Sequence, residues 1–122
     1  MKNILVIEDD DFFRELVRKK LLSEGFGVSD AVDGESGIKK MKEKKPDLVL
    51  LDLLLPNIDG FEVLSQAKSD SVLSSVPIII LSNLGQQEDI ERALKLGASD
   101  FFIKSQSDID QVTKKISGLL EK

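Results

Sequence analysis

Short apolar runs along the chain alternate with stretches whose apolar residues recur at helical spacing. Ile4-Leu5-Val6-Ile7, Leu48-Val49-Leu50-Leu51 and Ile78-Ile79-Ile80-Leu81 are uninterrupted apolar runs, the pattern of strands covered on both faces. Strands are therefore predicted over Asn3–Ile7, Asp47–Leu51 and Ile78–Leu81. A more polar strand over Phe26–Ala31 is expected at a sheet edge, and a short one over Phe101–Ile103. Between them, Phe13, Leu16, Val17 and Leu21 mark a helix with Asp10 or Asp11 as its cap and Gly25 as its stop. Ile38 and Met41 mark a helix over Glu35–Lys44, broken by Pro46. Helices are also predicted over Gly60–Lys68, Glu88–Leu96 and Ser107–Glu121, the last with a core stripe of Ile109, Val112, Ile116 and Leu119. Leu53 to Asp59 and a Ser/Asp-rich stretch before Pro77 are left as connections.

Strands that alternate with helices imply right-handed crossovers and a parallel sheet covered on both faces, hence the α/β class. The carboxyl ends of such strands open into the crevice where ligands bind. Here two of the apolar runs end on acids: Ile7 leads into Glu8-Asp9-Asp10-Asp11, and Leu51 into Asp52. Carboxylates gathered in one crevice repel one another unless a cation is present. An oxygen-only donor set with open water positions suits Mg²⁺ better than a softer metal. The bland alternative for the acidic run is a solvated cap and first helical turn, which favour Asp and Glu in any case.

Composition narrows the classes. At 122 residues the sequence is expected to form one domain over residues 1–122, with a real core and no room for a separate output or DNA-binding domain. The net charge of −5 argues against nucleic-acid binding by bulk electrostatics. The chain has no cysteine and no histidine, which excludes thiol chemistry, an imidazole base and phosphohistidine on this chain. Together with the absence of a signal-peptide pattern or a span-length apolar stretch, this leads to an expected cytoplasmic location without membrane insertion.

Taken in order, the motifs resemble the receiver domain of two-component response regulators from end to end. They are Ile4 to Asp10, Pro46 to Gly60, Pro77 to Ser82, Gly97 to Phe101, and Lys104. The resemblance implies a flavodoxin-like (βα)5 three-layer sandwich with strand order 2-1-3-4-5 and the site between strands 1 and 3. It makes Asp52 the phosphoryl acceptor, Asp9 a direct Mg²⁺ ligand, Glu8 a ligand acting mainly through water, and the Leu54 backbone carbonyl part of the shell. Ser82 would donate its hydroxyl to a phosphoryl oxygen, Lys104 would pair with it, and Phe101 would be a rotamer switch. The implied function is that of a stand-alone regulator, not an enzyme beyond weak self-phosphorylation and autodephosphorylation. It would take phosphate from a histidine kinase or a histidine phosphotransfer protein and switch a protein-binding surface. It would be a monomer or a phosphorylation-dependent dimer with an unknown downstream target.

The chain departs from the receiver pattern at two positions. Receivers usually carry a cis proline after the lysine, whereas Lys104 is followed by Ser105. A cis bond before serine costs roughly 3 kcal/mol, so a trans bond and a differently shaped loop are expected. The residue after the hydroxyl is usually Ala or Gly; here Asn83 is expected to narrow access to the phosphoryl group or hydrogen-bond it. Leu54 and Leu84, which flank the site, are apolar and cannot position an attacking water, so a long-lived phospho-Asp52 is expected.

Three other readings are weighed. A pseudo-receiver scaffold that takes no phosphate stays open through Ser105 and Asn83. A Mg²⁺-dependent aspartyl phosphohydrolase would need an acid two positions after its nucleophile, where Leu54 stands. A flavodoxin would need a phosphate-binding loop where this chain places carboxylates.

Overall fold

The computed structural model describes residues 1–120. Five parallel strands, β1 (Asn3–Ile7), β2 (Gly27–Ala31), β3 (Leu48–Leu51), β4 (Ile78–Ser82) and β5 (Asp100–Ile103), form one sheet of order 2-1-3-4-5. The helices α1 (Asp11–Ser23), α2 (Gly34–Glu43), α3 (Gly60–Ser69), α4 (Gln87–Lys95) and α5 (Ile109–Leu120) cover it in three layers. This is the expected flavodoxin-like architecture, and the polar β2 lies at an edge.

Alternation along the central strands assigns each residue to one of two cores. Leu5, Ile7, Val49, Leu51, Ile78 and Ile80 meet Met41 of α2, Phe61 and Leu64 of α3, and Ala93 of α4. Ile4, Val6, Leu48, Leu50, Ile79 and Leu81 meet Val17 and Leu21 of α1 and Val112 and Ile116 of α5. Burying each of the strands' Val, Leu and Ile side chains contributes about 2 kcal/mol, which is why β1, β3 and β4 stay at the centre.

Helix starts follow the aspartates. Asp10, Asp33 and Asp59 each accept an amide of the first turn, from Phe13, Ser36 and Glu62 respectively. Asp10 is thus the cap of α1, and Asp33 draws α2 one residue earlier than expected. The last helix begins two residues late, because Ser107 is extended and Asp108 turns the chain by accepting the Asp110 amide at 3.1 Å. The expected final residue of that helix, Glu121, lies outside the described residues. The Ser/Asp-rich connection contains a 3-10 turn over Leu73–Ser75, held by Asp70 and by the burial of Leu73 and Val76. Among the described residues, no helix is long and apolar enough to cross a membrane.

Candidate functional site

Register brings the acids together. Ile7 pairs with Leu51, so the residues that follow, Glu8 and Asp52, leave the sheet side by side. The ladder extends one step further, with the Glu8 amide donating to Ala31 O and the Asp52 amide to Ile7 O. Ser82 ends β4 opposite Ile103, which places Lys104 one step beyond the same edge. Gly60 lets the start of α3 close on this edge. A Cβ there would lie 2.4 Å from the Asp52 carbonyl oxygen and 2.5 Å from Leu53 Cα.

Lys104 is the centre of the resulting network. Its Nζ lies 2.9 Å from Asp52 Oδ2 and 2.6 Å from Glu8 Oε1. The second oxygen of Asp52 accepts the Leu54 amide at 3.0 Å, and Glu8 Oε2 accepts the Asp10 amide at 3.1 Å. Glu8 and Asp52 are buried, whereas Asp9 is exposed at the mouth. Burial is the largest influence on Glu8 and lifts its carboxyl from 4.5 to about 7; the Lys104 hydrogen bond opposes this and the Asp52 charge adds to it. Burial also works against the Lys104 ammonium, but the hydrogen bonds to Asp52 and Glu8 outweigh it and raise its pKa above the ordinary 10.5.

The donor set fits a small hard cation. One oxygen each from Glu8, Asp9 and Asp52 lie within 4.8 Å of one another. An octahedral Mg²⁺ with bonds of about 2.1 Å needs ligand oxygens roughly 3 to 4 Å apart, so a small inward adjustment of these carboxylates suffices. All three are hard oxygen ligands, and the exposure of Asp9 leaves that side of the cluster accessible to water.

Two further residues of α1 hold the site, and sequence reading assigned neither of them to it. Arg14 donates to the Glu8 carbonyl at 2.9 Å and pairs with Asp11 at 2.6 Å and Asp30 at 3.7 Å. It thereby fixes the turn that carries the acids. The signal was a basic residue one turn into a helix that starts in an acidic run. Phe13, counted as core, also places its ring 4.5 Å from Lys104 Nζ.

The remaining expected residues are distributed as follows. Ser82 is fully buried, and its Oγ accepts the Leu84 amide at 3.2 Å. Phe101 is half-buried against the core shared with α2, α3 and α4. Leu54 is 52% exposed, but Leu84 turns inward onto that core. The Leu54 group found in the network is the amide. Asn83 does not reach for the acidic pocket. Its Oδ1 accepts the Ser105 amide at 3.0 Å, an amide that a proline would lack. The peptide before Ser105 is trans, as expected, since no cis bond occurs among the described residues.

Comparison with known proteins agrees with this geometry. A family model described as the response regulator receiver domain matches residues 4–117. The DNA-binding dual master transcriptional regulator RpaA of Synechocystis sp. is 34% identical over 122 residues, covering 100% of this chain and 50% of that protein. The phosphate regulon transcriptional regulatory protein PhoB of Escherichia coli is 34% identical over 113 residues, covering 93% of this chain and 49% of that protein. The chain thus spans about half the length of the curated relatives it matches. Their names describe DNA binding or transcriptional regulation, which leaves the expected lack of a nucleic-acid partner without support. Among solved structures, the Mn(2+)-bound form of response regulator Rcp1 superposes with a TM-score of 0.89 at 26% identity, covering 100% of this chain and 96% of that one.

Proposed function

The chain belongs to the response regulator receiver family, and from that premise we propose that Asp52 accepts a phosphoryl group from a partner phosphohistidine. The observation that carries this is the buried Asp52 carboxylate held on Lys104, with oxygens of Glu8 and Asp9 within 4.8 Å. In the proposed transfer an Asp52 oxygen attacks phosphorus. The O–P bond forms as the N–P bond to the donor imidazole breaks, and the leaving nitrogen keeps the electron pair.

Phosphoryl transfer is catalysed chiefly by positioning and by neutralising charge on the equatorial oxygens. Lys104 supplies one fixed positive charge. Glu8, Asp9 and Asp52 are the residues that would hold Mg²⁺, with the Leu54 carbonyl the further candidate. The ion would contribute a second positive charge at the same oxygens. The Mn(2+)-bound form of Rcp1 supports a divalent ion here. Once Asp52 is modified, Ser82 is the hydroxyl that would turn to the new oxygens, leaving its bond with the Leu84 amide. Phe101 is the half-buried ring that would follow into the vacated space.

The module is a switch and not an enzyme with an outside substrate, apart from slow self-phosphorylation and autodephosphorylation. It would act in the cytoplasm, take phosphate from a histidine kinase or histidine phosphotransfer protein, and present a changed surface to a protein target. In the leading reading it works alone, as a monomer or a phosphorylation-dependent dimer. The doubled length of the curated relatives favours a second reading, in which the same surface reports to an attached domain.

The test is intact mass after incubation with acetyl phosphate, with and without Mg²⁺, for wild type and Asp52→Asn. One Mg²⁺-dependent phosphoryl adduct, absent in the variant, is expected. A folded wild type that takes no phosphoryl group from acetyl phosphate or from a phosphorylated histidine phosphotransfer protein would leave the scaffold reading instead.

A further inference from the structure

The two positions where the chain departs from the receiver pattern are joined to each other. Asn83 follows Ser82, Ser105 follows Lys104, and Asn83 Oδ1 accepts the Ser105 amide at 3.0 Å. Ser82 pairs with Ile103 in the sheet, so the two loops leave adjacent strands side by side. Gly85 seats the first loop on the second: a Cβ there would lie 2.6 Å from Ile103 Cδ1. Beyond Ile103 the chain winds into a 3-10 turn over Lys104–Gln106, and the start of this turn presents Lys104 to Asp52 and Glu8.

We propose that Asn83 is a positioning residue for phosphoryl acceptance: by holding the Ser105 amide it fixes the turn that aims Lys104, and it couples that turn to the loop carrying Ser82. The proposal rests on Asp52 being the acceptor. A proline at position 105 would carry no N–H for Asn83 to hold, and an alanine at position 83 would carry no acceptor. The tie therefore works only when both residues are present. Its consequence is that the ammonium and the hydroxyl that meet the incoming phosphoryl group move as one unit. Both tie residues are exposed, so the bond contributes little to folding and its loss is read at Lys104.

The test follows phosphorylation by acetyl phosphate across a Mg²⁺ titration for wild type, Asn83→Ala, Ser105→Pro and the double variant. Asn83→Ala is expected to lower the maximal rate about fivefold, the loss of one aimed hydrogen bond. Its thermal midpoint should stay at the wild-type value, because Asn83 is exposed and belongs to neither core. Ser105→Pro should lower the rate similarly, and the double variant no further than either single change. The Ser105 amide proton should move upfield in Asn83→Ala as it loses its acceptor. An Asn83→Ala rate within twofold of wild type, additive single effects, or a Ser105→Pro protein as fast as wild type would each overturn the assignment while Asp52 stays the acceptor. A wild type that accepts nothing would remove the acceptor reading and this one together.

Discussion

The Lys104 ammonium lies 4.5 Å from the centroid of the Phe13 ring while it pairs with the carboxylates of Asp52 and Glu8. A cation over an aromatic face gains about 0.5 to 2 kcal/mol, more as water is excluded. Phe13 therefore acts as a seat that keeps the lysine stem from swinging out of the pocket. Phe13→Leu keeps the apolar bulk and removes the π face. The variant should remain folded and accept phosphoryl groups about threefold more slowly, read from acetyl phosphate time courses. An unchanged rate would mean the two carboxylates alone set the lysine.

Glu8 should titrate far above an ordinary carboxyl. Its pKa in the fold is raised from 4.5 to about 7, burial being the main cause. The folded chain then keeps a proton that the unfolded chain releases across this interval. Stability from this group is complete below pH 4.5, declines as pH rises, and is gone above about 7. Urea unfolding without metal should thus show falling stability from pH 5 to pH 8, by up to about 3 kcal/mol, and Glu8→Gln should flatten the slope. A slope that survives in Glu8→Gln would place the titration elsewhere.

Gly60 lies so close to the acceptor's backbone that any side chain there must displace it. Its Cβ would meet Asp52 O at 2.4 Å. Gly60→Ala is expected to cost about 1 to 3 kcal/mol by overpacking, even though alanine is the better helix former. Because the displaced group is Asp52 itself, phosphoryl acceptance should fall roughly tenfold or more. Full activity in a stable Gly60→Ala protein would show that the loop yields without moving Asp52.

Of the two leucines expected to prolong the life of a phosphoryl group, Leu54 is the one whose side chain faces solvent. It is 52% exposed, while Leu84 packs inward. Leu54→Gln would place a polar group able to orient water, and the lifetime of phospho-Asp52 should shorten by roughly tenfold. Leu84→Gln should mainly destabilise the fold. Decay of the phosphorylated protein, measured by intact mass, separates the two. A shorter lifetime in Leu84→Gln alone would reverse the assignment.

Most of the fold was legible because local and global preferences agree. The apolar runs at Ile4, Leu48 and Ile78 have no stable place except the middle of a sheet. Asp10 marks the start of α1 by chemistry that acts within one turn, while the matching caps at Asp33 and Asp59 emerged only with the structure. Legibility failed where a residue's job depends on a distant partner. Asn83 was expected to face the pocket and instead holds Ser105, a residue far along the chain whose nearness comes only from β4 pairing with β5. Arg14 and Phe13 show the helical spacing of any amphipathic helix, so nothing local distinguished them from a solvated cation and a core ring.

The order of strands and helices, the acidic run, the isolated Asp52 and the lysine after the fifth strand were determined by sequence alone, because periodicity and residue chemistry are local properties. Only the tertiary structure decided that Lys104 bridges Glu8 and Asp52, that burial pushes the Glu8 carboxyl above its ordinary range, and that Asn83 ties two loops. Those outcomes depend on strand register and on the water excluded around each charge. Both are set by packing between segments that are distant in the sequence.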